Sequence, residues 1–383
     1  VSEKYYRHTK VDVDLEALQH NYKAIQYLHP AKTFIAVIKA NAYGLGSVTV
    51  AEYMSEIGVE FFAVATLDEA IELRMHGIRE KILVMGVIRP EDINKAIQHR
   101  IAVTAPNLEW ITSAKSHVKE KYDKEVWVHI KVNSGMNRLG TSDTDEISRM
   151  IEEIESFDRF IYEGIFSHFS SADVDSAVND REYSKFKEIT GKVRRPEYVH
   201  IQNSPGALRV VDDYCDALRV GISLYGYYTS PFIKDISRVE LKPSVKLSTK
   251  VMDMHVLNEG EGLSYGLEYE AVQDEKIATL PIGYADGLSR SMTGYRVKLE
   301  DGTECLIAGK ICMDSCMISV PDDTAVGDKV IIISNDTYSS QSMEAYSEYA
   351  GTISYESLVR ISRRVPRVYH AAGNGHVNNE VLK

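Results

Sequence analysis

Between Phe34 and Ser223 the sequence repeats one rhythm eight times. A short, continuous apolar run is followed by a segment whose apolar residues recur at helical spacing. The runs are FIAVIK (34–39), FFAVA (61–65), KILVMG (81–86), IAVTA (101–105), VWVHIKV (126–132), YEGIFSH (162–168), YVHIQN (198–203) and ALRVGIS (217–223). Between them lie segments such as TLDEAIELRMHG and TDEISRMIEEIESF, which read as amphipathic helices. Runs that are apolar at every position belong to strands buried on both faces. Their alternation with helices predicts parallel βαβ units. Eight such units form a closed (β/α)8, TIM-type barrel of about 250 residues. An open doubly wound sheet ranks second, because no GxGxxG follows the first run.

The rhythm stops after about residue 238. Helical patterns give way to strands with Gly- and Asp-rich turns: VKLSTKVMDMHVLNEGEGLSYG, RVKLEDGTECLIAGK, CMISV and DKVIIIS. They predict a mainly antiparallel β domain. The expected division is 1–238 for the α/β barrel and 239–383 for the β domain, and 383 residues suit two cores better than one. The stretch KVDVDLEALQHNYKAIQYL reads as a strand and then a helix starting near Asp14, with the first ~12 residues a candidate to pair with the C-terminal sheet.

A net charge of −12 argues against a nucleic-acid backbone or an anionic membrane surface as partner. No stretch approaches the ~20 apolar residues of a membrane span. The opening residues hold no signal-like apolar core, and the four cysteines lack a disulfide-framework pattern. We expect a cytoplasmic protein. The Cys312–Cys316 spacing has no histidine close to it, so no metal site is expected.

In such barrels the chemistry sits at the C-terminal ends of the strands, with phosphate commonly held after strands 7 and 8. Lys39 ends the first run, followed by Tyr43. The fifth run leads to NSGMNR and Arg138, and the sixth ends in His168. The seventh leads to Ser204, a candidate helix cap, and the eighth carries Arg219, then Gly221 and Ile222. A helix start and a glycine at the last two positions suit an anion. A lysine at one strand end and a phosphate site at others suggest pyridoxal phosphate, whose aldehyde forms a Schiff base with an amine. Position alone leaves a second reading open, in which Lys39 extends its ammonium to water.

The wording of these segments adds to their spacing. AVIKANAYGLG resembles the pyridoxal phosphate attachment motif of bacterial alanine racemases. VHIKVNSGMNRLG, GIFSHFSSAD, HIQNSPGAL, LRVGISLYGYY, LSYGLEY, LPIGYADG, AGKICMDSCMI and TISYESLVRISRRVPRVY resemble that family's segments in the family's order. The resemblance implies a barrel plus a C-terminal β domain, and two-base, cofactor-dependent racemisation of L- and D-alanine that supplies D-alanine for peptidoglycan. It implies Lys39 as the Schiff-base lysine and one catalytic base, with Tyr265 as the other. Tyr43, Ser204, Gly221, Ile222 and Tyr355 match the phosphate-binding set, and Arg219 matches the residue facing the pyridine nitrogen. Arg138 and the backbone N–H of Met313 match the groups that orient the substrate carboxylate. Tyr265, Met313 and Asp314 are expected from the second subunit of a head-to-tail homodimer with composite sites.

Physical argument supports these expectations. Racemisation takes a proton from one face of Cα and returns one to the other, so two bases are needed. A free tyrosine titrates near ~10, so Tyr265 needs positive surroundings, which a chain Arg219–His168–Tyr265 supplies. Lys131 matches a lysine that the family often carbamylates, but Asn133 in VNSGMNR stands where many relatives carry Asp. Tyr284 matches the family's substrate corridor, where Lys310 replaces a usual Arg. A serine or broad-specificity racemase, and a non-catalytic barrel that binds the cofactor, are the alternatives. The β domain with Tyr265 argues against the second.

Overall fold

The computed structural model describes residues 5–210, 213–371 and 374–382. The chain divides into two compact units, Gln19–Leu241 and Val1–Leu18 with Lys242–Lys383. The division falls inside helix α1 (Leu15–Leu28), which follows strand β1 (Lys10–Asp14). The Asp14 carboxylate accepts the N–H of Ala17 at 2.9 Å, one of the donors that a helix start leaves open.

The first unit holds strands β2 (Thr33–Val37), β3 (Phe61–Val64), β4 (Lys81–Val84), β5 (Ala102–Ala105), β6 (Val126–Lys131), β7 (Phe160–Phe166), β8 (Tyr198–His200) and β9 (Ala217–Val220). They form one eight-stranded sheet in the order β8-β7-β6-β5-β4-β3-β2-β9, with parallel ladders throughout. The seam between β8 and β9 is bridged by backbone bonds from Asp216 N to Val199 O (2.8 Å) and Arg219 N to Gln202 O (3.0 Å). The expected parallel barrel is thus present. Its helices bury one face each. In Thr144–Glu155, Ile147, Met150, Ile151 and Ile154 face inward, and burial of each such side chain stabilises by about 1.5–3 kcal/mol.

The second unit contains β10 (Val245–Lys250), β11 (Asp253–Leu257), β12 (Gly262–Leu263), β13 (Tyr269–Glu270), β14 (Glu275–Leu280), β15 (Arg296–Leu299), β16 (Glu304–Ala308), β17 (Cys316–Val320), β18 (Lys329–Ile333), β19 (Arg367–Ala371) and β20 (Asn374–Asn378). Strands β12 and β13 pair with each other; the others join β1 in a ten-stranded sheet, β11-β14-β17-β16-β15-β18-β10-β1-β19-β20. All its ladders are antiparallel except that of β1 with β19. The N-terminal strand is therefore an interior strand of the C-terminal sheet. Among the described residues no helix is long and apolar enough to cross a membrane.

Candidate active site

Lys39 lies two positions beyond β2, at the C-terminal end of the barrel strands. The next four residues, Ala40, Asn41, Ala42 and Tyr43, all have left-handed backbone, with φ of 53°, 57°, 50° and 54°. For residues other than glycine this conformation costs roughly 1–2 kcal/mol each, so neighbouring groups must hold it. Glu69 is central among them. Its Oε1 accepts the Ala40 N–H at 2.6 Å, and its Oε2 accepts those of Ala65 (2.8 Å) and Thr66 (3.1 Å). Asn41 Oδ1 accepts the Ser47 N–H at 2.8 Å, and the Tyr43 ring packs against Tyr225 with centroids 4.8 Å apart. Sequence reasoning missed Glu69. Its signal was the T-x-x-E capping box at the start of Leu67–Met75, which reads as a helix start.

Several cationic side chains crowd the same strand ends. Burial lowers the pKa of the Lys39 amine, and Arg138 and Arg219 push the same way against the carboxylate of Glu69. Lys131, 5% exposed, is lowered to about 7 by burial and then by Arg219 and Arg138. Its Nζ donates to the Val132 carbonyl at 2.8 Å. His168 is held well below its usual value by burial and by Arg219, Arg138, Lys131 and Lys39, so its ring is neutral. Arg219 is 2% exposed, and burial brings it down to about 10, which leaves it charged at neutral pH. It donates to Ser167 O (2.7 Å), His168 Nδ1 (3.3 Å) and His200 Nδ1 (2.6 Å). The Arg219–His168 half of the expected chain is present; the shorter bond to His200 was not anticipated.

Ser204 is not the helix cap that its position suggested. Asn203 caps Ser204–Arg209, its Oδ1 accepting the Gly206 N–H at 3.1 Å. The Ser204 hydroxyl is therefore directed elsewhere, and accepts the N–H groups of Gly221 (2.9 Å) and Ser223 (3.4 Å). Gly221 allows a close approach: a Cβ there would lie 2.3 Å from the Tyr43 hydroxyl. Ile222, fully buried, opens the turn Ile222–Tyr225. Tyr43, Ser204, Gly221 and Ile222 thus come together, a hydroxyl-and-amide cradle that a side chain at 221 would fill. With a lysine whose pKa is lowered by burial and a cationic surround, these residues fit a phosphorylated aldehyde.

Arg138 sits on an exposed loop that Asn133 organises. Asn133 Oδ1 accepts the N–H groups of Gly135 (3.3 Å) and Asn137 (3.0 Å). The departure from Asp at 133 keeps the acceptor that this turn uses and loses only the charge.

In the C-terminal unit, Tyr265 stands on the turn Tyr265–Leu267, which Ser264 enters with φ of 67°. Tyr265, Met313 and Asp314 line one concavity of about 430 Å³ with Ser264, Cys312 and Ser315. Tyr265 and Met313 are exposed by 72% and 53%. The Tyr284 N–H donates to Cys312 O and the Ala285 N–H to Met313 O, which joins Tyr284 to the same turn. Asp314 pairs with Arg364 at 2.8 Å, and Lys310 with Glu268 at 2.5 Å. Tyr355 lies in the helix Ser354–Arg360.

The family description "Alanine racemase, N-terminal domain" matches residues 13–229, and "Alanine racemase, C-terminal domain" matches residues 244–369. The alanine racemases of Macrococcus caseolyticus and Staphylococcus saprophyticus are 49% and 48% identical over 383 residues, all of this chain and all of theirs. The crystal structure of alanine racemase from Bacillus anthracis with bound L-Ala-P superposes with a TM-score of 0.93 at 35% identity, covering 99% of this chain and 100% of that one. Matched from end to end in sequence and in fold, the chain belongs to the alanine racemase family.

Proposed function

We propose that the protein interconverts L- and D-alanine with pyridoxal phosphate bound to Lys39, and so supplies D-alanine for peptidoglycan in the cytoplasm. The observation that carries this reading is the lowered pKa of the half-buried Lys39 amine beside the Ser204–Gly221–Tyr43 cradle. An amine must be unprotonated to form an imine, and burial favours that form. Ser204, Gly221, Ile222 and Tyr43 hold the phosphate. The bound cofactor supplies an electron sink for the charge left when Cα loses its proton.

The side chains do the rest. Arg138 and the Met313 N–H orient the substrate carboxylate. Lys39 Nζ takes or returns the Cα proton on one face, and the Tyr265 hydroxyl does so on the other. One proton leaves and one arrives, so no net charge accumulates. Arg219 would face the pyridine nitrogen, and because a guanidinium does not hand over its proton it would leave that nitrogen unprotonated, which would favour return of the proton to Cα. A carbamate on Lys131 would hold Arg138, Asp314 supports Met313, and Tyr284 lines the approach for substrate.

The protein works as a head-to-tail homodimer in which Tyr265, Met313 and Asp314 reach the barrel of the other copy. The exposure of Tyr265, Leu267 and Met313 supports this, since an apolar group of this kind marks a contact surface. The test is a chiral assay of the holoenzyme together with borohydride trapping. The expected result is racemisation of alanine and a pyridoxyl label on Lys39. A label elsewhere, or none, overturns the assignment.

A further inference from the structure

A line of buried polar side chains runs through the barrel interior, and nothing in the reaction described above uses it beyond its first member. Arg219 NH1 lies 2.6 Å from His200 Nδ1, and His200 Nε2 lies 2.9 Å from His129 Nδ1. His129 Nε2 lies 2.9 Å from Glu163 Oε2, and Glu163 Oε1 lies 2.7 Å from Lys81 Nζ. Arg219 is near the C-terminal end of β9 and Lys81 is the first residue of β4, so the line spans the barrel from one end to the other. His129 and His200 are fully buried, and Glu163 is 3% exposed.

The proton positions along this line follow from chemistry. Arginine only donates, so His200 Nδ1 is bare and accepts. An imidazole keeps at least one proton, so His200 carries it on Nε2 and donates to His129 Nδ1. His129 Nδ1 is then bare, its proton is on Nε2, and it donates to Glu163. A carboxylate accepts at both oxygens and closes the line against the Lys81 ammonium. Every N–H from Arg219 to His129 points toward Glu163, which the Lys81 ammonium meets from the other side.

Two irregularities of the backbone seat this line. The β6–β7 register shifts between Val128 and His129, so that Tyr162 pairs with Val128, Gly164 pairs with His129, and Glu163 is the extra residue. Such a bulge re-aims a side chain. Gly164 makes room for the ring: a Cβ there would lie 2.1 Å from His129 Nδ1. Both departures fall on β7, and both serve the same pair.

We propose that Glu163 is a positioning residue for racemisation: through His129 and His200 it fixes both imidazoles as Nε2–H tautomers and so presents a bare Nδ1 to Arg219. This rests on the reading of Arg219 as the residue at the pyridine nitrogen. The guanidinium is thereby held in one orientation, and its positive charge has a distant counter-charge at the end of the line. A glutamine at 163 reverses the logic. Its carbonyl oxygen satisfies Lys81, and its NH2 donates to His129 Nε2. His129 and His200 then become Nδ1–H tautomers, His200 meets Arg219 donor to donor, and the guanidinium must turn away from it.

The test is neutron diffraction from deuterated holoenzyme crystals, wild type and Glu163→Gln, with steady-state kinetics and the visible spectrum of the bound cofactor. In the wild type, deuterons are expected on Nε2 of both His129 and His200; a deuteron on Nδ1 of either overturns the proposal, whether or not the variant folds. In Glu163→Gln, both tautomers are expected to reverse and the cofactor band to move. The value of kcat is expected to fall roughly tenfold or more, the scale on which outer partners of working histidines act, with KM for alanine nearly unchanged. Native tautomers with native kcat in the variant overturn the proposal. Reversed tautomers with unchanged kcat and spectrum overturn the link to Arg219. A failed pyridoxyl label on Lys39 in the wild type instead removes the cofactor reading and leaves the tautomer result intact.

Discussion

Arg219 and Lys131 of the barrel are 2% and 5% exposed, whereas Tyr265 and Met313 of the C-terminal unit are 72% and 53% exposed. The barrel groups are tuned by their own fold: burial and the repulsion of Arg138 and Arg219 lower Lys39 and Lys131. The C-terminal groups gather around a turn with one side open to solvent. A phenol that is to serve as a base gains its positive surroundings only when another surface covers it. The contrast teaches that the barrel groups are set by their own surroundings, whereas the exposed groups of the C-terminal unit suit the shared site of the proposed dimer.

The largest break of this comparison is Lys39→Ala, expected to lower racemisation by roughly 10⁴-fold, since in the proposed mechanism it removes both the imine-forming amine and one base. Chiral chromatography of the reaction checks it. Tyr265→Phe comes next, with a loss of about 10²–10⁴-fold and an unchanged cofactor dissociation constant by fluorescence titration. Equal loss of both shows that Tyr265 holds the cofactor instead. Mixing the two inactive chains sharpens the point. If sites are shared between copies, denaturation and joint refolding restores about a quarter of wild-type activity, because half of random dimers are mixed and one of their two sites is intact. No recovery shows that each chain builds its own site.

Stability provides the third break. Lys131 is protonated up to ~10.4 in the unfolded chain but only up to about 7 in the folded one. Between these values the unfolded state binds more protons, so wild-type stability rises with pH across that window. Lys131→Met is expected to stabilise the barrel at pH 7 and below, on the order of 2 kcal/mol, and to flatten the rise. Urea melts from pH 6 to 10 in carbonate-free buffer read this, and a wild-type curve that falls with pH contradicts it. Ser204→Ala is the smallest. It removes the hydroxyl from the proposed phosphate cradle, and weaker cofactor binding by about tenfold is expected from the loss of ~1–2 kcal/mol. Equilibrium dialysis measures it.

The barrel was legible because its strands are buried on both faces and read as unbroken apolar runs. The C-terminal sheet was only partly so. Strand β14, EKIATL, mixes half-buried and buried positions, and β19 starts with Arg367. A buried arginine breaks any apolar pattern; here it is satisfied by the backbone carbonyls of Ile361, Ser362 and Val365, and such backbone acceptors leave no mark in the side-chain pattern. Within the site, Lys39 and Arg219 were legible as charges at strand ends. Glu69 was not, since it bonds Ala40 across 29 positions, and the His129–Glu163 pair spans 34. Asn203 took the cap expected of Ser204: it has the extended backbone of a cap and accepts the Gly206 N–H, while the Ser204 hydroxyl is engaged by Gly221 and Ser223.

The left-handed run after Lys39 has a consequence for anyone who would redesign this loop. Three of its four residues are the small or amide-bearing types Ala40, Asn41 and Ala42, and no glycine relieves them. A randomised library across positions 40–43, sorted for folded holoenzyme, should return glycine, asparagine and alanine at the first three sites. Valine, isoleucine and threonine should vanish from it, because a branched Cβ collides with its own carbonyl in that backbone.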